Sequence, residues 1–391
     1  MSASLPAAAP AAPLTLPSPQ AYYPALTGLR AVAAYLVFLL HFRPASLHEG
    51  WANRLMGQFY VGVGMFFVLS GFLIATRYQG SVQLTRPWLR QYLWKRFARI
   101  YPIFFLLNGQ LLWHFYWPLR AATAANSLTL IVLSQSLLRG FSRTLKFVGI
   151  PQAWSLTVEE CFYLAAPLLF LAWRRWGRAG AVGFVLGTVS LGLALTALCM
   201  GRPALHGLFG SYHHLFNYTF FGRVLEFVLG VALARWWAAR PAPAVGPAGW
   251  QWPWRTLAGL LLTSLTVVVL AWVHPHDDWY DGLLLPQAVV LKTVIFPAAM
   301  TLLLAGLLAE RSWLRAGLAT PLLQALGRSS YFFYLFHIGT FSIWWKERFG
   351  WGNYIGWQFL ATVVLSEIGY RLLEEPLRRW VLARTLGSPA R

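Results

Sequence analysis

The stretch LTGLRAVAAYLVFLLHF, residues 26–42, carries one arginine and one histidine in an otherwise uncharged, mostly apolar run. Extended to residue 24, it is long enough as a helix to cross a hydrocarbon core of ~30 Å. Comparable blocks recur along the chain, and ten spans can be read: 24–42, 58–76, 97–117, 152–173, 179–200, 218–238, 256–273, 284–309, 322–345 and 354–374. The segment 124–138 is apolar but short and rich in Ser and Thr, and it reads as a reentrant or surface helix. Composition agrees. Of 391 residues, 58% are hydrophobic and only 11% charged, against about 25% charged in a soluble domain. The expectation is an all-α, polytopic integral membrane protein of about ten transmembrane helices.

The net charge of +20 would suit a nucleic-acid binder, but the basic residues stand between the apolar blocks. There they act as topology determinants, so no nucleic-acid partner is expected. With both termini inside, 19 Lys and Arg fall on the inner side and 9 on the outer. Counting 124–138 as a full span would carry Arg174, Arg175 and Arg178 outside and break that pattern. The expected arrangement is therefore a membrane crossed many times, with both termini cytoplasmic.

Residues 1–20 are Ala- and Pro-rich without Lys or Arg, which reads as a disordered tail rather than a signal peptide. Residues 21–380 form one membrane domain and 381–391 a cytoplasmic tail. Cys161 and Cys199 lie within apolar blocks, so no disulfide framework is expected.

Ionisable residues inside spans are costly and mark candidate sites. Arg30, Glu159, Glu160, Arg223, Glu226, Lys292, Arg328 and Glu367 are of this kind, with His41 and His337 beside them. Arg223 with Glu226, and Glu367 with Arg371, have the spacing of helical ion pairs that simply hold helices. Lys292 has no partner at such spacing. Arg30 and His41 are eleven residues apart, so they share one helix face about 16 Å apart along the axis. That puts Arg30 near the cytoplasmic end and His41 near the outer end.

The segment QAWSLTVEECFY, residues 152–163, enters the fourth span from outside, which places Glu159 about 10 Å deep, in the same half as His41. A histidine oriented by a carboxylate is what removal of a hydroxyl proton requires. On the inner side, Arg96 and Arg99 of KRFARIYP lie three apart on one face. They serve either as topological anchors or as a clamp for phosphate oxygens. In GVGMFFVLSGFLIA, residues 62–75, small residues let helices approach closely, and they would equally leave a slot for a thin ligand arm.

In this order, LTGLRAVAAYLVFLLHF, GVGMFFVLSGFLI, KRFARIYP, WSLTVEECFY (154–163), GRVLEFVLG (222–230), LGRSSYFFYLFH (326–337) and YRLLEEPLRR (370–379) resemble the bacterial acyltransferase-3 family of membrane-bound acyl-CoA O-acyltransferases. The resemblance runs from about residue 24 to 380 and implies a bacterial cytoplasmic (inner) membrane as the location. It implies an acyl-CoA donor, commonly acetyl-CoA, on the cytoplasmic side, acting as co-substrate with no bound cofactor or metal. The acceptor is then a hydroxyl of a sugar in a surface polysaccharide or related glycoconjugate.

By the same resemblance, His41 matches the catalytic histidine and Arg30 its paired arginine. Arg96 and Arg99 match the donor-binding motif, and Trp154, Ser155 and Glu159 match a Trp-Ser-Leu-x-x-Glu element. Some members carry a fused esterase-like domain, which this sequence does not show, so the acceptor must reach the membrane domain directly or through a separate protein. Catalysis would run with His41 and Glu159 as general base and its partner, or through an acyl-imidazole. Ser155 and His337 are candidate donors to the thioester oxygen. The main alternative is a secondary transporter or flippase for a glycolipid or polysaccharide precursor, a class that often shows inverted repeats; no such repeat is evident. A sensor or scaffold with purely structural charges is the third reading.

Overall fold

A computed structural model describes residues 22–43, 50–116, 124–240, 252–273, 284–350 and 353–386. The expected tail 1–20 lies outside them. Among these residues the chain is helical, with a single isolated β-bridge between Ser142 and Leu208. In chain order the helices are α1 (Pro24–His41), α2 (Trp51–Gly57), α3 (Val61–Tyr78), α4 (Arg86–Tyr116), α5 (Ala124–Gln135), α6 (Trp154–Cys199), α7 (Tyr212–Tyr218) and α8 (Phe220–Ala238). They continue as α9 (Trp254–Val273), α10 (Pro286–Val290), α11 (Phe296–Ala309), α12 (Trp313–Leu318), α13 (Pro321–Arg328), α14 (Ser330–Phe336), α15 (Thr340–Phe349), α16 (Ile355–Gly369) and α17 (Glu375–Leu386).

By length and composition, six helical stretches among the described residues can cross a membrane: Pro24–His41, Trp51–Tyr78, Pro151–Cys199, Tyr212–Ala238, Trp254–Val273 and Pro286–Ala309. Fewer than the expected ten meet this measure among the described residues, and each difference has a cause. The expected spans 152–173 and 179–200 both lie in α6, whose backbone leaves the helical region at Gly177 (φ 59°, ψ −138°). Only glycine adopts such a conformation readily. Gly180 packs against the carbonyl of Ala172, so the chain turns back on itself there. The expected span 97–117 sits in a 31-residue helix whose first half carries Arg86, Arg90, Lys95, Arg96 and Arg99. The expected span 322–345 is not continuous but divides into α13, α14 and α15. The last span passes from α16 through a π-helical turn, Tyr370–Glu374, into α17. The segment 124–138 forms α5, whose 12 residues reach about 18 Å, short of a crossing.

Because lipid tails are as apolar as leucine, packing in a membrane relies on close backbone approach. The core uses it at the α3–α8 crossing, where Gly71 faces the Phe227 carbonyl and Gly230 faces that of Val68. A side chain on either glycine would collide with backbone. α1 is held between α3 on one side and α12 and α13 on the other. Its two ends therefore meet different neighbours.

Candidate active site

Five helices meet around a narrow cavity of about 50 Å³, enough for a few waters. α1 supplies Arg30, α3 Ser70, α4 Arg99, α6 Ser155 and Glu159, and α14 Tyr331 and Tyr334. The Glu159 carboxylate accepts a hydrogen bond from the Ser70 hydroxyl at 2.8 Å and another from the Tyr163 hydroxyl. Arg30 and Arg99 lie within electrostatic reach of Glu159 and of Glu374, which the C-terminal π-helical turn delivers. Among the described residues, no hydrogen bond engages either guanidinium. The wall is otherwise largely apolar, with Val63, Phe66, Leu73 and Leu156 among its residues, and two cationic forks lining a small cavity of this kind make a receptor for an anionic or strongly polar group.

Arg96 has a different environment from Arg99, although they are three residues apart. It is 6% exposed, donates to the Tyr78 hydroxyl at 3.1 Å, and lies over the rings of Tyr78 and Tyr163 at 5.3 and 5.4 Å. It does not line the cavity, so the expected clamp of Arg96 and Arg99 on one ligand is not assembled. Near the same end of the fold, Arg77 lies within electrostatic reach of Arg96, Arg99 and Arg378, which makes this end strongly cationic.

His41 ends α1, about 16 Å along the axis from Arg30. Its neighbour is His337, with ring centres 5.5 Å apart and planes at 32°. The expected partnership of His41 with Glu159 is not what the structure assembles. Glu159 shares the cavity with Arg30, and its described hydrogen bonds run to Ser70 and Tyr163. Glu159 falls there because α6 does not begin at the protein surface. Trp154 to Val158 are all buried, and Gln152 donates to the carbonyls of Tyr334 and Leu335 at 2.8 and 3.1 Å. The helix starts inside the protein, and Glu159, five positions along, opens onto the cavity.

Tyr334 connects the two centres. It lines the cavity, its ring centre lies 5.8 Å from that of His337, and its hydroxyl pairs with Ser155 at 2.9 Å. Ser155 also donates to the Gln152 carbonyl at 3.0 Å. Trp154 takes no part in the cavity wall. It packs edge-on against Tyr218 at 4.8 Å and is a packing residue here.

Behind the cavity, Arg223 makes the bidentate pair with Glu226 that its spacing suggests, at 2.9 and 2.7 Å, with both side chains buried. Lys292 joins this network from a π-helical turn, Leu291–Ile295, by donating to Asn217 at 2.8 Å and lying over the Tyr60 ring. Glu367 and Arg371 pair at 2.7 Å.

Ser70, Tyr163, Tyr331, Tyr334, Gln152 and Glu374 escaped the sequence reading. Ser70 lay in the stretch of small residues read as close packing or a slot, and Glu374 is the last residue of the expected span 354–374. The tyrosines had no local signal at all.

Comparison with known proteins bears on this arrangement. Acyltransferase MdmB of Streptomyces mycarofaciens is 29% identical over 343 residues, covering 80% of this chain and 78% of its own. Peptidoglycan O-acetyltransferase OatA of Listeria monocytogenes is 26% identical over 391 residues, 92% of this chain and 56% of its own. A Staphylococcus aureus (strain COL) protein provisionally named an O-acetyltransferase is 23% identical over 402 residues, 92% of this chain and 58% of its own. The chain thus spans less than three-fifths of the length of these last two relatives. No solved structure shows significant similarity to it. Residues 23–366, which hold both the Arg30 cavity and the His41–His337 pair, match the model of the acyltransferase-3 family, described as an acyltransferase domain, and the chain belongs to that family.

Proposed function

We propose that this protein transfers an acyl group, acetyl in the first instance, from acyl-CoA to a hydroxyl of a sugar in a cell-surface polysaccharide or related glycoconjugate. The observation that carries this reading is the layout along α1. A cationic cavity at Arg30 and a histidine pair at His41 lie three helical turns apart, with Tyr334 touching both. Donor phosphates would bind at the cationic end through Arg99 and its neighbours, with the protein set in the cytoplasmic membrane and that end facing the cytoplasm. The acyl arm would run past Arg30 and Tyr334 toward His41. With about 50 Å³ open, side chains must part to admit it.

In this scheme His41 takes the proton of the acceptor hydroxyl as its oxygen attacks the thioester carbonyl. The acceptor approaches from the outer face. Glu159 then acts at the donor end, as counter-charge to Arg30 and Arg99, rather than at the base. The O-acetyltransferase names of relatives favour a sugar hydroxyl as acceptor.

The test uses membrane vesicles with and without the protein, supplied with acetyl-CoA labelled in the acetyl group. Label should enter the glycan or lipid-linked fraction only with the wild type, and not with His41→Ala. Protein-independent labelling alone, with the protein shown to be folded, would reject the reading.

A further inference from the structure

His337 caps α14, and both its backbone N–H and its ring Nδ1 reach the carbonyl of Phe333, at 3.0 and 3.2 Å. A carbonyl only accepts, so Nδ1 carries the proton. The other ring nitrogen, Nε2, is buried and meets no hydrogen-bond partner. Rings of Phe38, Phe42, Phe333 and Tyr334 stand around the imidazole, with centres 5.8 to 6.5 Å from its own. A second proton on Nε2 would put a charged N–H into this cage without an acceptor, which is costly. Nε2 therefore presents a lone pair, and an unmet buried acceptor of this kind in a native protein calls for an explanation.

Of the rings around His337, that of His41 has the nearest centre, at 5.5 Å. A direct N–H···N bond of about 3 Å sets two imidazole centres roughly 5 Å apart. The observed separation of 5.5 Å is close to that value.

We propose that His337 is the positioning residue for His41: its Nε2 accepts the N–H of His41 and so directs the other nitrogen of His41 toward the acceptor hydroxyl. This rests on the acyl-transfer reading above. It is the task a carboxylate performs for the histidine of a Ser-His-Asp triad, performed here by a neutral imidazole in an aromatic cage. The hydroxyl oxygen bonds to the thioester carbonyl carbon and its proton passes to His41. The carbonyl–sulfur bond then breaks, and His41 returns the proton to the leaving thiolate. His337 keeps its Nδ1 proton throughout. In this assignment Nε2 of His337 accepts from His41 and does not donate to the thioester oxygen, because a lone pair cannot donate.

Three variants separate this role from packing. His337→Gln puts an amide oxygen near the place of Nε2; His337→Asn leaves that place empty; His337→Phe fills the cage without an acceptor. Labelled acetyl transfer is measured in vesicles, with size-exclusion profile and acetyl-CoA binding as controls on folding. The Gln variant should keep kcat within about tenfold of wild type, and Asn and Phe should lose about 100-fold or more, all with an unchanged acetyl-CoA KM. A Phe variant as active as wild type, or folded Gln and Phe variants equally inactive, would overturn the proposal. The tautomer is read independently from the 15N-histidine NMR spectrum of the detergent-solubilised protein. A proton on Nε2 of His337, rather than on Nδ1, would overturn it whatever the activity. If the wild type transfers no acyl group, the proposed function falls, and the tautomer spectrum alone decides the placing of His337.

Discussion

The hydroxyls of Ser155 and Tyr334 lie 2.9 Å apart, and this contact stands between the Arg30 cavity and the histidine pair. Both groups are buried, and both also reach the carbonyl of Gln152, at 3.0 and 3.1 Å. The contact thus ties the start of α6 to α14.

Tyr334→Phe keeps the ring in place and removes only the hydroxyl. Stability should fall by about 1 kcal/mol, with acyl transfer kept within a few-fold of wild type. Tyr334→Ala should cost about 3–5 kcal/mol and abolish transfer, because the partition itself is lost. Thermal unfolding in detergent, alongside the vesicle assay, checks both. A Phe variant as inactive as His41→Ala would place the hydroxyl in the chemistry.

Arg99 and Arg96 should behave differently. Arg99→Ala should raise the acyl-CoA KM about tenfold or more with little change in kcat, as expected for a lost ground-state contact. Arg96→Ala should lower stability and leave the donor KM near wild type, since Arg96 is packed between Tyr78 and Tyr163. Arg96→Lys should rescue it poorly, because an ammonium cannot reproduce the planar stacking. Equal KM changes in the two Ala variants would show that both arginines hold the donor.

Glu159 and Arg30 should couple. Removing one buried charge leaves the other uncompensated, so Glu159→Gln and Arg30→Gln should each destabilise more than the pair together. A double-mutant cycle should show about 1–3 kcal/mol of coupling. No coupling there, with strong coupling between Glu159 and His41, would restore the carboxylate to the base.

The Arg223–Glu226–Lys292 network sets two cations around one carboxylate. Lys292→Met leaves the bidentate pair intact and should change stability by less than about 1 kcal/mol. Glu226→Gln strands both cations and should cost about 3–5 kcal/mol. Midpoints of thermal unfolding of the purified variants decide it, and a Lys292→Met protein that fails to fold would contradict the ranking.

Some features were fully determined by the sequence. Apolar blocks near 20 residues long dictate helices, because in lipid every backbone polar group must be satisfied within its own segment. Local spacing likewise determined the Arg223–Glu226 and Glu367–Arg371 pairs, since residues three or four apart on a helix are neighbours wherever the helix lies. The register of Arg30 and His41 on α1 belongs with these. The partners of those two residues do not. Whether Glu159 meets His41 or Arg30 depends on how deep α6 begins, which is decided by Gln152 bonding to the far end of the chain at Tyr334 and Leu335. The break between α13 and α14 was equally hidden, for it lies next to Gly327, which packs on the carbonyl of Thr27 in α1. His337 came to stand against His41 through the same packing. Periodicity reports which face of a helix is apolar, but depth and cross-chain partners arise only when distant helices meet.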